Sequence, residues 1–201
     1  MQKVIGNLSK GLFFIISAPS GTGKTTLIRM LTKECNSIVE SVSFTTRKPR
    51  KGEIEGIDYF FISEEEFEEK IKNNEFLEYA KVFGNYYGTS KSFVEQNLKD
   101  KKHIVLIIDT QGAMKLKGKI DAVYVFISPP SIEELRSRIN FRNSNDEDDI
   151  KKRLEWSKEE MKLIKEYDYN IVNHDSHTSY EILKAIIIAE EHKVKNLNYW
   201  R

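Results

Sequence analysis

Apolar residues along this chain fall into two kinds of pattern. Short runs at 12–18, 41–45, 104–109, 122–128 and 169–172 are apolar, β-branched or aromatic, and most of them show no alternation. They read as strands. Strands lacking a polar face belong to a parallel sheet with helices packed on both sides. Between them, segments 25–34, 110–117, 132–139, 148–166 and 179–194 carry helical patterns. In the last, Ile182, Ala185, Ile186 and Ala189 recur at i, i+3, i+4 and i+7 and mark one buried face. Alternation of strand, helix and strand predicts an α/β fold built on a parallel sheet.

Residues 47–90 break the rhythm. They hold a stretch rich in Pro and Gly, an acidic helix over 63–72, and aromatic segments at 59–62 and 76–83. This predicts a small inserted subdomain with antiparallel strands. A polar, mostly charged run at 143–149 marks a second insertion between two helices, and composition alone reads it as a solvated loop. There is no internal repeat and no long low-complexity segment.

Composition narrows the function. With 201 residues, 39% of them hydrophobic, the chain suffices for one core and a small satellite. Lys plus Arg number 32 against 31 for Asp plus Glu, a net charge of +1. No global field favours nucleic acid or an anionic membrane, so an anionic ligand must be held by local groups. The single cysteine, Cys35, excludes an intrachain disulfide and a cysteine zinc site and reads as a small core residue. Lys3 and Lys10 before the apolar run 12–18 imitate a secretory signal, but the run passes straight into a glycine-rich turn and a helical stretch. With no membrane-length apolar run, the expectation is a soluble, cytoplasmic protein. Oligomeric state is left open.

The candidate chemistry starts at Ala18-Pro19-Ser20-Gly21-Thr22-Gly23-Lys24-Thr25, set between a predicted strand and a predicted helix. Such a P-loop turns successive backbone N–H groups toward phosphate oxygens. Lys24 reaches the outer phosphates, the Thr25 hydroxyl ligates magnesium, and the helix N-terminus adds partial positive charge. The motif usually begins with Gly. Here Pro19 pushes Ala18 toward extended dihedrals, where a methyl group costs little. Asp109, ending an apolar strand, suits orientation of magnesium or its water shell, although strand-terminal Asp residues also cap the next helix.

Further strings carry a resemblance. They are Ser17–Thr26 (SAPSGTGKTT), Ser43–Arg50 (SFTTRKPR), Gly56–Tyr59 (GIDY), Asn74–Glu78 (NEFLE), Asn85–Thr89 (NYYGT) and Ile171–Asn173 (IVN). In this order, over about residues 10–194, the sequence resembles the guanylate kinases. The resemblance implies a P-loop nucleoside monophosphate kinase fold within a single domain. Its core spans about 1–46, 91–137 and 154–201, with a GMP-binding insertion at 47–90 and a helical lid at 138–153. It implies magnesium-dependent transfer of the γ-phosphoryl group of ATP to GMP. By matched position, Arg47, Arg50, Tyr59 and Tyr87 grip the GMP phosphate, and Ser43, Glu78 and Thr89 read guanine. Asp109 joins the GMP set, while Arg138, Arg142 and Arg153 close over the transferring group. Thr26 and Asn173 join the P-loop residues on the ATP side.

The chain departs from the family pattern at three positions. Ile107 stands where the family has a first acid, and Phe141 and Asn143 stand where its lid carries Gly. The histidines His103, His174, His177 and His192 have no metal spacing and read as surface or structural. Two rivals remain. One is a catalytically dead scaffold module of the same fold, which an intact Lys24 and Thr25 argue against. The other is a phosphoryl-transfer enzyme for another acceptor, which would have no reason to combine Ser43, Glu78 and Thr89.

Overall fold

The computed structural model describes residues 4–142 and 147–196, without the side chains of residues 141, 142 and 149. From the first strand the chain runs through β1 (Phe13–Ser17), α1 (Lys24–Glu34) and β2 (Ile38–Ser41). It then forms β3 (Phe44–Thr45), β4 (Phe60–Phe61), α2 (Glu64–Lys72), β5 (Phe76–Val82) and β6 (Asn85–Ser90). After α3 (Lys91–Lys99) come β7 (His103–Ile107), α4 (Thr110–Leu116), β8 (Val123–Ser128), α5 (Ile132–Arg142) and α6 (Glu147–Lys162). The last elements are β9 (Tyr169–Val172) and α7 (Ser176–Glu191).

Five strands form one parallel sheet in the order β2-β7-β1-β8-β9. Its missing alternation has a direct cause. In β1, Phe14 and Ile16 face a core shared with Leu27, Leu31, Leu183 and Ile187 of α1 and α7. The buried face of α7 is therefore not the predicted one: Ile186 is buried, but Ile182, Ala185 and Ala189 are exposed, because apolar residues at nearly every position from 182 to 189 fit more than one helical face. Phe13 and Ile15 face a second core with Val94 of α3 and Ala113 and Leu116 of α4. Both faces are covered, so both must be apolar.

The second sheet, ordered β4-β3-β6-β5, is mixed, because β3 pairs with β4 in parallel and with β6 antiparallel. α2 begins at a capping box between Ser63 and Glu66 and lays the fully buried Phe67 on Phe76 and Tyr86, with ring centroids 4.4 and 5.1 Å away. The predicted strand 41–45 is in fact two. β2 ends in the parallel sheet and β3 starts in the other, with Val42 and Ser43 between. A run of strand-forming residues carries no mark of a change of sheet, which depends on partners distant in sequence. The helix predicted over 148–166 likewise ends at Lys162 and is followed by a short 3-10 turn, Ile164–Glu166.

Of the four histidines, His103 is fully buried and structural. Leu12 N–H donates to its Nδ1 at 2.9 Å, which leaves Nε2 to donate to Glu191, 3.1 Å away. Glu191 also accepts from the backbone N–H of Gly6 and Asn7 at 2.8 and 2.6 Å, tying the N-terminal segment to α7. Burial pushes the His103 pKa down and holds the ring neutral. His174, His177 and His192 are exposed, and Cys35 packs half-buried against the core.

Candidate active site

In a parallel sheet the crevice outside the carboxyl ends of the strands is where ligands bind. Here those ends deliver Ala18 after β1, Ser43 after β2 and Asp109 after β7 to a single cavity of about 560 Å³. One wall is the P-loop, with Ser20, Gly21, Lys24 and Thr25; the other is the second sheet, with Arg47, Tyr59, Glu78 and Tyr87.

The P-loop geometry follows its glycines. Gly21 and Gly23 have φ of 92° and 91°, a conformation that L side chains rarely hold, and a Cβ on Gly23 would come within 2.8 Å of Asn173 Nδ2. Thr22, fully buried, folds back to donate its hydroxyl to Pro19 O at 2.9 Å. Asn173 braces the loop by donating Nδ2 to Thr22 O at 2.6 Å, and its Oδ1 is held at 2.9 Å by the Ser179 hydroxyl. Lys24 Nζ lies 3.4 Å from Ala18 O and lines the cavity.

On the opposite wall, a register shift between Phe76 and Glu78 bulges β5 just where the strand enters the site. Glu78 and Ala80, two residues apart, then face the cavity. Glu78 is only 8% exposed. Thr89, fully buried beside it on β6, donates its hydroxyl to Glu78 Oε1 at 2.7 Å. Burial raises the Glu78 pKa to about 7, the Thr89 hydrogen bond opposes that rise, and Asp109 adds to it. Gly112 makes room for this carboxylate, since a Cβ there would sit 3.0 Å from Glu78 Oε2.

Arg47 and Arg50 are organised by Glu53, which the sequence reading missed. Its Oε1 accepts from Arg47 Nη2 at 2.8 Å and its Oε2 from the Arg50 backbone N–H at 2.7 Å. The Arg47 guanidinium also lies 5.3 Å from the Tyr59 ring centroid, and Tyr59 meets Tyr87 edge-on at 5.9 Å. Charge and aromatic surface are thus held together in one corner. A carboxylate three residues after Arg50 was visible in the sequence, but nothing there said that the turn folds back on it.

Of the arginines assigned to the lid, the two with described side chains line different cavities. Arg153, on α6, lines the large cavity. Arg138, on α5, donates to Glu134 Oε1 at 3.0 Å and to Asn173 O at 3.2 Å. It lines a second cavity of about 470 Å³ together with Gly23, Thr26 and Asn173. The side chains of Arg142 and Phe141, and the whole of Asn143, lie outside the described residues.

Asp109 caps the next helix and also reaches the cavity: its Oδ1 accepts from Gly112 N–H at 2.8 Å at the start of α4. Ile107 packs partly into the core where the family acid would stand. A carboxylate nonetheless enters from another element, since Glu160 of α6 lines the cavity while being 5% exposed. Burial raises its pKa to about 7; Lys24 counteracts this and Asp109 reinforces it. Helical spacing places Arg153, Trp156, Ser157 and Glu160 on one face of α6, and all four line the cavity. That face was readable as helical, but not as the wall of a site.

Thr25 and Asp109 bring oxygen donors to the cavity. Among the described residues, no group of three or more His, Cys, Asp or Glu is placed to hold a metal. The donor set suits magnesium, which takes one or two protein oxygens and fills the rest of its octahedron with waters and substrate phosphates.

A family model for guanylate kinase matches residues 10–190. The guanylate kinase of Protochlamydia amoebophila is 46% identical over 189 residues, covering 94% of this chain and 96% of that one. That of Clostridioides difficile is 46% identical over 188 residues, covering 93% and 92%. The crystal structure of guanylate kinase from Anaplasma phagocytophilum matches with a TM-score of 0.78 at 38% identity, covering 94% of this chain and 90% of that one. With the P-loop and the second sheet facing each other across one cavity, and with likeness running nearly end to end, the chain belongs to the guanylate kinase family.

Proposed function

We propose that this chain transfers the γ-phosphoryl group of ATP to GMP, giving ADP and GDP. The observation that carries this reading is the shared cavity, in which the phosphate-holding loop faces a wall of arginines, tyrosines and a buried carboxylate. GMP lies against the second sheet, with Arg47, Arg50, Tyr59 and Tyr87 around its phosphate and Ser43 and Glu78 at its base. Ionised Glu78 accepts from guanine N1–H and the N2 amino group, and Thr89 positions that carboxylate. ATP enters from the P-loop side, with Ala18 to Thr26 around its phosphates and Asn173 bracing the loop. Thr25 and Asp109 would hold magnesium, which when bound neutralises charge on the phosphate oxygens.

Lys24 and Arg153 offset charge on the transferring group, and closure of the two walls excludes water. Arg138 and Arg142 belong to the same reading, as the part of a lid at 138–153 that closes over the transferring group, with the GMP-binding insertion at 47–90. Among the described residues no helix is long and apolar enough to cross a membrane. With no signal in the net charge for nucleic acid, the reading includes action on free nucleotides in the cytoplasm. A coupled assay for ADP, with ATP, magnesium and GMP, tests it. Turnover that depends on GMP is the expected result, and ADP formation at the same rate without GMP would contradict it.

A further inference from the structure

β5 and β6 are joined by a two-residue turn, Phe83-Gly84, between the paired residues Val82 and Asn85. Both turn residues have positive φ, 47° at Phe83 and 81° at Gly84. These are the signs of a type I′ turn, whose first position favours Asn, Asp or Gly. Phenylalanine is strained there, because its Cβ crowds the following carbonyl. Nor is the ring held by burial, since Phe83 is 62% exposed. What it meets is Trp156 of α6, with ring centroids 5.5 Å apart and planes inclined by 56°. The two rings come from separate elements, the β5–β6 hairpin and α6, and both line the large cavity. Phe83 stands at the tip of the hairpin that carries Glu78 and Tyr87, and Trp156 lies on the face of α6 that carries Arg153 and Glu160. Strain retained where the turn itself has no use for it points to a use elsewhere.

We propose that Phe83 and Trp156 form an aromatic latch that holds the second sheet against α6 and so sets Arg153 opposite the acceptor nucleotide. Neither ring touches the reacting atoms; both are positioning residues. The latch rests on the reading that GMP lies against the second sheet, because only then does joining this hairpin to α6 bring acceptor and arginine together. Its energetic scale is that of an aromatic pair, small enough to open for substrate entry and large enough to bias closure.

Trp200→Phe leaves Trp156 as the one remaining of the two tryptophans, and this variant is the parent for the test. Adding Phe83→Asn removes the ring and supplies a residue that the turn prefers, so the thermal midpoint is maintained or raised. In the nucleotide-free protein, acrylamide quenching of Trp156 increases. The KM for GMP rises about five-fold, the scale of one lost aromatic pair. Phe83→Tyr, which keeps the ring, restores both values. Trp156→Leu, read in the unmodified chain by kinetics alone, raises the KM for GMP to the same extent. Unchanged quenching in Phe83→Asn, or a KM for GMP unchanged in either Phe83→Asn or Trp156→Leu, overturns the latch. Failure of the functional reading looks different: the parent itself would then not phosphorylate GMP, whereas failure of the latch leaves the parent active and its variants identical to it.

Discussion

On one wall of the cleft the proposed phosphate site is built from backbone; on the other it is built from side chains. The P-loop is contiguous, running from Ala18 just after β1 to Thr25 in the first turn of α1, held in shape by two glycines of positive φ and by the Asn173 brace. The second sheet gathers Arg47 and Arg50 in a turn, Tyr59 before β4, and Tyr87 on β6, with Glu53 organising the two arginines. A backbone cradle tolerates changes in neighbouring side chains but depends on its glycines and on its single lysine. A side-chain cradle can choose its ligand, and each member depends on a partner that can be removed. The proposed division of labour follows: the first wall supplies rate, and the second supplies recognition.

Variants of each wall sharpen the contrast. The largest effect is expected for Lys24→Met. It should leave a folded protein and lower kcat by about 10² or more, because the lost charge stabilises the transition state. Steady-state kinetics with circular dichroism for folding checks this. Glu53→Gln should act on the other parameter. Arg47 loses a charged partner and the turn a brace, so the KM for GMP rises about ten-fold while kcat moves less. A change confined to kcat would break the assignment of Glu53 to recognition.

The smallest effect is expected for Thr89→Val. The Thr89 hydroxyl lowers a Glu78 pKa that burial holds at about 7, so its loss raises that pKa further. The carboxyl must be ionised to accept from guanine, so the KM for GMP falls as pH rises through about 7. In Thr89→Val that fall shifts to higher pH, with about a three-fold weaker KM at pH 7. The titration of the GMP phosphate is common to both proteins and cancels in the comparison. Superimposable pH profiles would remove Thr89 from the account.

The two walls were also unequally readable in the sequence. The P-loop is local: its spacing, the apolar strand before it and the helix after it all lie within 12–34, and the structure forms it there. The parallel sheet was equally plain, because double-sided burial leaves uninterrupted apolar runs. The second wall combines β3 with the β5–β6 hairpin, a pairing of β3 with β6 that spans tens of residues, and the change of sheet between Ser41 and Phe44 left no trace in the pattern. Its candidate residues came from the family resemblance, not from spacing. Glu53, Glu160, Phe83 and Trp156 were missed for one reason, that each matters through a partner distant in space, and periodicity reports only a residue's own face.

In the proposed function the second wall reads guanine through Glu78. An ionised carboxylate only accepts hydrogen bonds, and guanine offers it two adjacent donors. Adenine presents a lone pair at N1 and no amino group at C2, so a site built on that bond discriminates against AMP by about 10⁴ or more. Glu78→Gln can turn an amide N–H toward adenine N1 while giving up one acceptor toward guanine. The decisive measurement is kcat/KM for GMP and for AMP in both proteins. A strong preference for GMP that narrows markedly in Glu78→Gln is the predicted result, and a GMP to AMP ratio unchanged by the substitution would contradict the claim.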